Sequence, residues 1–212
     1  MRALIVLLAL LALPAHGQSI GRLTSASTPG KGHCSGTLIA PQLVLTAAHC
    51  VARVEGAGIR VLEGQVFVLP QPDGAVVSEI VGVVPHPGLR AMGDGLSPRT
   101  DMALAELAAP LSAPPVAMGE APLPGPVSFV SFRREAPGER LRQDFCYGAE
   151  VLPFWRLGCR VTAGQSGGAV LSEGKLVAVI VARQGAMALA LPLDAWARAA
   201  PAAKIGMARD GP

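Results

Sequence analysis

Apolar positions follow two patterns along this chain. At the start, "MRALIVLLALLALPAHGQS" sets one basic residue before an unbroken apolar run from Ala3 to Leu13, followed by the small residues Ala15 and Gly17. The run is too short to cross about 30 Å of hydrocarbon as a helix. Its basic, apolar and small-residue zones predict a cleaved signal segment over residues 1–17, with the mature chain starting near Gln18. From Ile20 onward, short apolar runs alternate with turn residues, and no 3.6-residue period persists over ten positions, which predicts an all-β chain. The candidate strands are Leu38 to Thr46, Ile59 to Leu62, Val66 to Leu69, Val76 to Val84, Met102 to Leu107, Val127 to Phe132, Ala169 to Ser172, Leu176 to Ala182 and Met187 to Leu193. Glu173 and Gly174 supply a hairpin turn between the seventh and eighth of these.

The stretch "AAPLSAPPVAMGEAPLPGP", Ala108 to Pro126, is too rich in proline for a central strand and predicts a connection between two halves. The expected organisation is a first domain over residues 18–112, a linker over 113–126, a second domain over 127–200 and a frayed tail over 201–212. The charged run "RREAPGERLR", Arg133 to Arg142, predicts a solvated loop. "LDAWARAAP" predicts one short helix that begins near Asp194 and stops before Pro201.

Composition narrows the function classes. Signal removal leaves about 195 of the 212 residues, enough for one large all-β domain or two small ones. The formal net charge of +3 falls to +2 when Arg2 is lost, too weak a balance to argue for nucleic acid or an acidic membrane. Aromatic residues make up 4% of the chain, which disfavours a base-stacking platform. The four cysteines, Cys34, Cys50, Cys146 and Cys159, all lie in the exported part and lack the CxxC spacing of a zinc site. Two disulfides are expected; of the three possible pairings, the sequence-local one joins Cys34 to Cys50 and Cys146 to Cys159.

Three local signals carry chemistry. In "GTLIAPQLVLTAAHC" a strand-like run ends in His49, next to a cysteine able to staple that corner. Neutral imidazole, with an ordinary pKa of about 6.5, suits proton shuttling near neutral pH. His33 and His86 sit beside glycine or proline in loops and carry no such expectation. In "AGQSGGAV", glycines on both sides of Ser166 permit a tight turn in which the Gly164 and Ser166 N–H groups converge on one oxygen. In "TDMALAEL", Asp101 heads an apolar strand, where a buried carboxylate requires a hydrogen-bonding partner. Asp94 lies between glycines and reads as a turn residue. The set supplies base, orienting acid and nucleophile in the chain order His, Asp, Ser, one of the orders known for catalytic triads.

By "CSGTLIAPQLVLTAAHC", "TDMALAEL" and "GQSGGAV" the sequence resembles the chymotrypsin-like (trypsin-fold) serine proteases, and its compactness and export signal look most like their bacterial exported members. The resemblance implies two antiparallel six-stranded β-barrels with the active site in the cleft between them. It assigns His49 and Asp101 to the first barrel and Ser166 to the second. It further implies a monomeric endopeptidase, secreted or periplasmic, acting on polypeptides without cofactor or metal and without stable membrane insertion.

The sequence departs from that family at two places. Gln165 precedes the serine where members activated by cleavage carry an aspartate that pairs with a new N-terminal ammonium. An amide supplies no counter-charge, so "SIGRL", Ser19 to Leu23, is expected to be the first strand and activation by further cleavage unnecessary. The specificity pocket, expected to involve Arg160, Val161, Val181, Ala182 and Arg183, also lacks the aspartate that trypsin-like enzymes use for basic side chains. Arg160 or Arg183 would favour an acidic side chain; Val161, Val181 and Ala182 would favour a small or apolar one. Two rival functions stand beside the protease: a non-catalytic binding module on the same fold, and a disulfide-stapled adhesion or inhibitor domain.

Overall fold

The computed structural model describes residues 18–28, 34–56 and 58–202. The expected signal segment, His33 and residues 203–212 lie outside these. The first half contributes β1 (Ile20–Ser25), β2 (Cys34–Ala40), β3 (Leu43–Thr46), β4 (Ala52–Glu55), β5 (Gly58–Val61), β6 (Gln65–Gln71), β7 (Gly74–Pro85), β8 (Ala91–Met92), β9 (Gly95–Leu96) and β10 (Ala103–Leu107). The second contributes β11 (Gly125–Phe132), β12 (Arg140–Val151), β13 (Phe154–Arg160), β14 (Ala169–Ser172), β15 (Lys175–Gln184), β16 (Met187–Pro192) and the helix α1 (Ala195–Ala199).

Among the described residues these strands close into two six-stranded antiparallel barrels, ordered β1-β2-β3-β10-β7-β6 and β11-β12-β13-β16-β15-β14. β1 pairs with both β2 and β6, so "SIGRL" closes the first barrel rather than forming a free N-terminal arm. The hairpins β4-β5 and β8-β9 stand outside both barrels. One buried cluster joins Leu38, Leu45, Phe67 and Leu104 of the first barrel to Phe132, Leu171, Val179 and Leu191 of the second. A second cluster, including Phe129, Leu157, Val170 and Ile180, fills the second barrel alone. Apolar burial therefore runs across the barrel interface and fixes the cleft above it.

Several expectations are revised. The single strand foreseen over Leu38 to Thr46 turns at Pro41 and Gln42 into the hairpin β2-β3, where proline's missing N–H is best accommodated. β12 and β13 have no counterpart among the expected strands, and Arg140 to Arg142, assigned to a charged loop, begin β12. The second barrel starts at Gly125, two residues inside the expected linker. The connection between barrels is docked along its length. The Val116 N–H donates to the Leu38 carbonyl at 2.9 Å, and the Gly119 N–H donates to the Leu176 carbonyl at 2.9 Å. Helix α1 is capped by Asp194, which accepts from the Ala197 N–H at 2.9 Å.

Candidate active site

His49 lies in a one-turn 3₁₀ segment, Ala48–Cys50, directly after β3. β3 is buried along its whole length, so the chain reaches the cleft already fixed, and the Cys34–Cys50 disulfide ties the corner to the start of β2. The other disulfide, Cys146–Cys159, joins β12 to β13, and no described cysteine is free. The Sγ atoms of Cys34 and Cys50 lie within 4.8 Å of a ring nitrogen of His49. Both sulfurs are committed to the disulfide, so this group offers no thiolate to a metal.

Asp101 follows the 3₁₀ turn Pro98–Thr100 and is 3% exposed. Both of its oxygens are engaged by one residue: the His49 backbone N–H donates to Oδ1 at 2.8 Å, and His49 Nδ1 lies 2.5 Å from Oδ2. A carboxylate only accepts, so Nδ1 carries the proton and Nε2 is left free to take one. His86 is held differently. Its Nδ1 accepts from the Gly88 N–H at 2.9 Å, which leaves Nε2 to donate to Asp194 at 2.7 Å. Both ring nitrogens are thereby occupied, one within its own loop and one on the cap of α1.

Ser166 occupies the turn between β13 and β14. Gly164 at φ +92° and Gly167 at φ +77° flank it, conformations for which glycine is suited. Gln165, 1% exposed, braces the turn from beneath. Its Oε1 accepts from the Thr162 N–H at 2.6 Å, and its Nε2 donates to Ser131 Oγ at 2.9 Å. The position that in cleavage-activated relatives requires an external ammonium is here satisfied by neutral internal partners. Gln165, Gly167 and Gly168 spend their N–H groups on the Thr162, Ile180 and Gln165 carbonyls. The Gly164 and Ser166 N–H groups donate no hydrogen bond among the described residues.

Ser35, which the sequence did not single out, stitches this turn to the first barrel. Its N–H donates to the Ser166 carbonyl at 2.7 Å. Its hydroxyl donates to the Gly164 carbonyl at 3.1 Å and accepts from the Phe132 N–H at 2.8 Å. Its own carbonyl accepts from Thr46 Oγ1 at 2.7 Å. The strand that ends near His49 and the turn that carries Ser166 therefore share one buried set of hydrogen bonds.

His49 and Ser166 line one open cavity of about 510 Å³, together with Ser25, Gln65, Arg134 and Gly164. Ser166 also lines an adjoining pocket of about 410 Å³ with Glu135, Val161, Thr162, Ile180, Ala182 and Arg183. Three of the five expected specificity residues, Val161, Ala182 and Arg183, line this pocket. Arg160 and Val181 do not. Arg160 ends β13 opposite Met187 with its carbonyl accepting from Gln143, and Val181, 4% exposed, packs into the core shared by the barrels. The pleat explains the exchange, since neighbours on β15 face opposite sides. The charged loop is also more than a solvated connection, because Arg134 and Glu135 reach the two cavities beside Ser166.

The sequence pattern of the trypsin-like peptidase domain matches residues 34–179. The chain belongs to that family. Among relatives of this trypsin-like peptidase, a protein named Trypsin from Saccharopolyspora erythraea is 32% identical over 92 residues, an alignment covering 43% of this chain and 38% of that protein. The fold also matches the solved structure of a Glu endopeptidase in complex with MPD, with a TM-score of 0.70 and 18% identity over 89% of this chain and 93% of that one. The two-barrel architecture of the trypsin-like peptidase is thus shared beyond the range of close sequence similarity.

Proposed function

We propose that this trypsin-like peptidase is an exported serine endopeptidase that hydrolyses peptide bonds through an acyl-enzyme intermediate. The observation that carries the reading is the meeting of a His49 ring, its tautomer held by buried Asp101, with Ser166 in a single cavity. His49 Nε2 takes the Ser166 hydroxyl proton as Oγ attacks the scissile carbonyl, and returns it to the leaving amine. Water, activated by the same nitrogen, then cleaves the ester. Asp101 remains ionised, holds the ring and stabilises the imidazolium. The Gly164 and Ser166 N–H groups receive the developing oxyanion, each such donor lowering the barrier by about 2.7–4 kcal/mol.

The acyl-side side chain enters the pocket of Val161, Ile180, Ala182 and Thr162. Glu135 and Arg183 bring one charge of each sign to its lining, so the lining's charges alone select neither an acidic nor a basic side chain. The preference of the Glu endopeptidase for which that fold relative is named is therefore not carried over. Export is supported by the apolar run of the first 17 residues and by the two disulfides, which persist in an oxidising compartment. No helix among the described residues is long and apolar enough to cross a membrane. The internal bracing of Gln165 supports activity without cleavage beyond signal removal.

Purified chain starting near Gln18 is expected to release new termini from a mixed peptide library immediately, with an initial burst if deacylation is slow. Folded protein that releases none would favour the binding module; activity gained only after a further clip would overturn the role given to Gln165.

A further inference from the structure

We infer that Arg134 is a specificity-determining residue, selecting substrates that carry an acidic side chain on the leaving segment, just beyond the scissile bond. The inference rests on the hydrolase reading above. His49 must return its proton to the departing amine, so the leaving segment passes on the His49 side of Ser166. The cavity containing both His49 and Ser166 is thereby the leaving side, and the pocket that contains Ser166 without His49 receives the acyl side chain.

The two spaces differ in charge. The acyl pocket carries Glu135 and Arg183, one of each sign. Among the described residues, the leaving-side cavity, which Gln65 and Arg134 line beside His49 and Ser166, has no carboxylate in its lining. Among the described residues Arg134 is its one permanently charged residue. Arg134 is exposed and takes part in no ion pair or side-chain hydrogen bond among the described residues. Its neighbour Arg133 is instead 3.7 Å from Glu139. The root of the Arg134 side chain is fixed against the catalytic turn. Its N–H donates to the Ala163 carbonyl at 2.9 Å, and its backbone lies where a side chain on Gly164 would have to pass. A guanidinium held there offers a carboxylate a paired, two-pronged contact.

The test uses peptides identical except for Glu, Gln or Lys at the first or second residue after the scissile bond. At low salt the Glu peptide is expected to show a kcat/KM about two- to fivefold above the Gln peptide, mostly in KM, the scale of an exposed ion pair. Arg134→Gln should erase the Glu-to-Gln ratio, and Arg134→Glu should turn the preference toward Lys. In the wild-type protein the preference should fade as salt is raised to about 1 M, where the screening length is about 3 Å. That measurement decides the matter even if a variant fails to fold. Wild-type protein that a fluorophosphonate labels, but that shows no leaving-side acid preference or an equal one at high salt or in Arg134→Gln, would overturn this inference alone. Folded protein that is never labelled would overturn the hydrolase reading and this inference with it.

Discussion

Asp101→Asn is expected to lower kcat about 10⁴-fold while leaving the fold and KM nearly unchanged. The size follows from which groups face the carboxylate. Oδ1 accepts from the His49 backbone N–H, a group that can only donate, so an asparagine must turn its carbonyl oxygen there. Its NH₂ then faces Nδ1 across the 2.5 Å contact, and Nδ1 must become an acceptor. The ring proton moves to Nε2, and the nitrogen that should accept from Ser166 is blocked. Steady-state kinetics with a small peptide, beside a urea titration of both proteins, separates this tautomer effect from unfolding. A loss below tenfold in a stable Asp101→Asn protein would show that Asp101 does not orient the ring.

Gly167→Ala is expected to cost about 2–5 kcal/mol of stability, combining a left-handed backbone penalty with overpacking. Gly167 has φ +77°, and a methyl group there would overlap the Ser35 carbonyl oxygen and Thr46 Oγ1. The turn has no room to shift, because the Gly167 N–H is held by the Ile180 carbonyl at 2.7 Å on one side and Ser35 holds the Ser166 carbonyl at 2.7 Å on the other. Gly185→Ala is the control. Gly185 has φ +60° but nothing within 4 Å of an added methyl, so only the backbone term of about 1–2 kcal/mol should appear. Equal losses in the two variants would mean that the close approach of the barrels at Gly167 contributes nothing.

The parts of the site legible in the sequence were those made by short local patterns. An apolar strand ending at His49, an aspartate heading β10 and a glycine-bounded serine each declare themselves within eight or so residues. Ser35 could not be read that way. It looks like any small strand residue, and its partners Phe132 and Gly164 lie 97 and 129 residues away. Gln165 stands out in the sequence for the charge it lacks, whereas its hydrogen bond to Ser131 depends on how the turn between β13 and β14 packs on β11. β12 escaped for a different reason. "RLRQDFCYGAEV" buries only Cys146 and Gly148 fully and exposes Phe145 and Tyr147. It therefore carries no apolar run, and its ladders to β11 and β13 hold it in the barrel. The composition of the Arg133 to Arg142 segment predicts a solvated loop, yet the backbone contact between Arg134 and Ala163 brings its first residues to the cleft.

Whether Ser166 is a nucleophile activated by His49 is tested most directly by treating purified chain starting near Gln18 with a fluorophosphonate probe and locating the adduct by peptide mass spectrometry. A single adduct on Ser166, absent in Ser166→Ala and strongly slowed in His49→Ala, is the expected result. An adduct that survives Ser166→Ala, or its absence from folded wild-type protein, would refute the catalytic assignment.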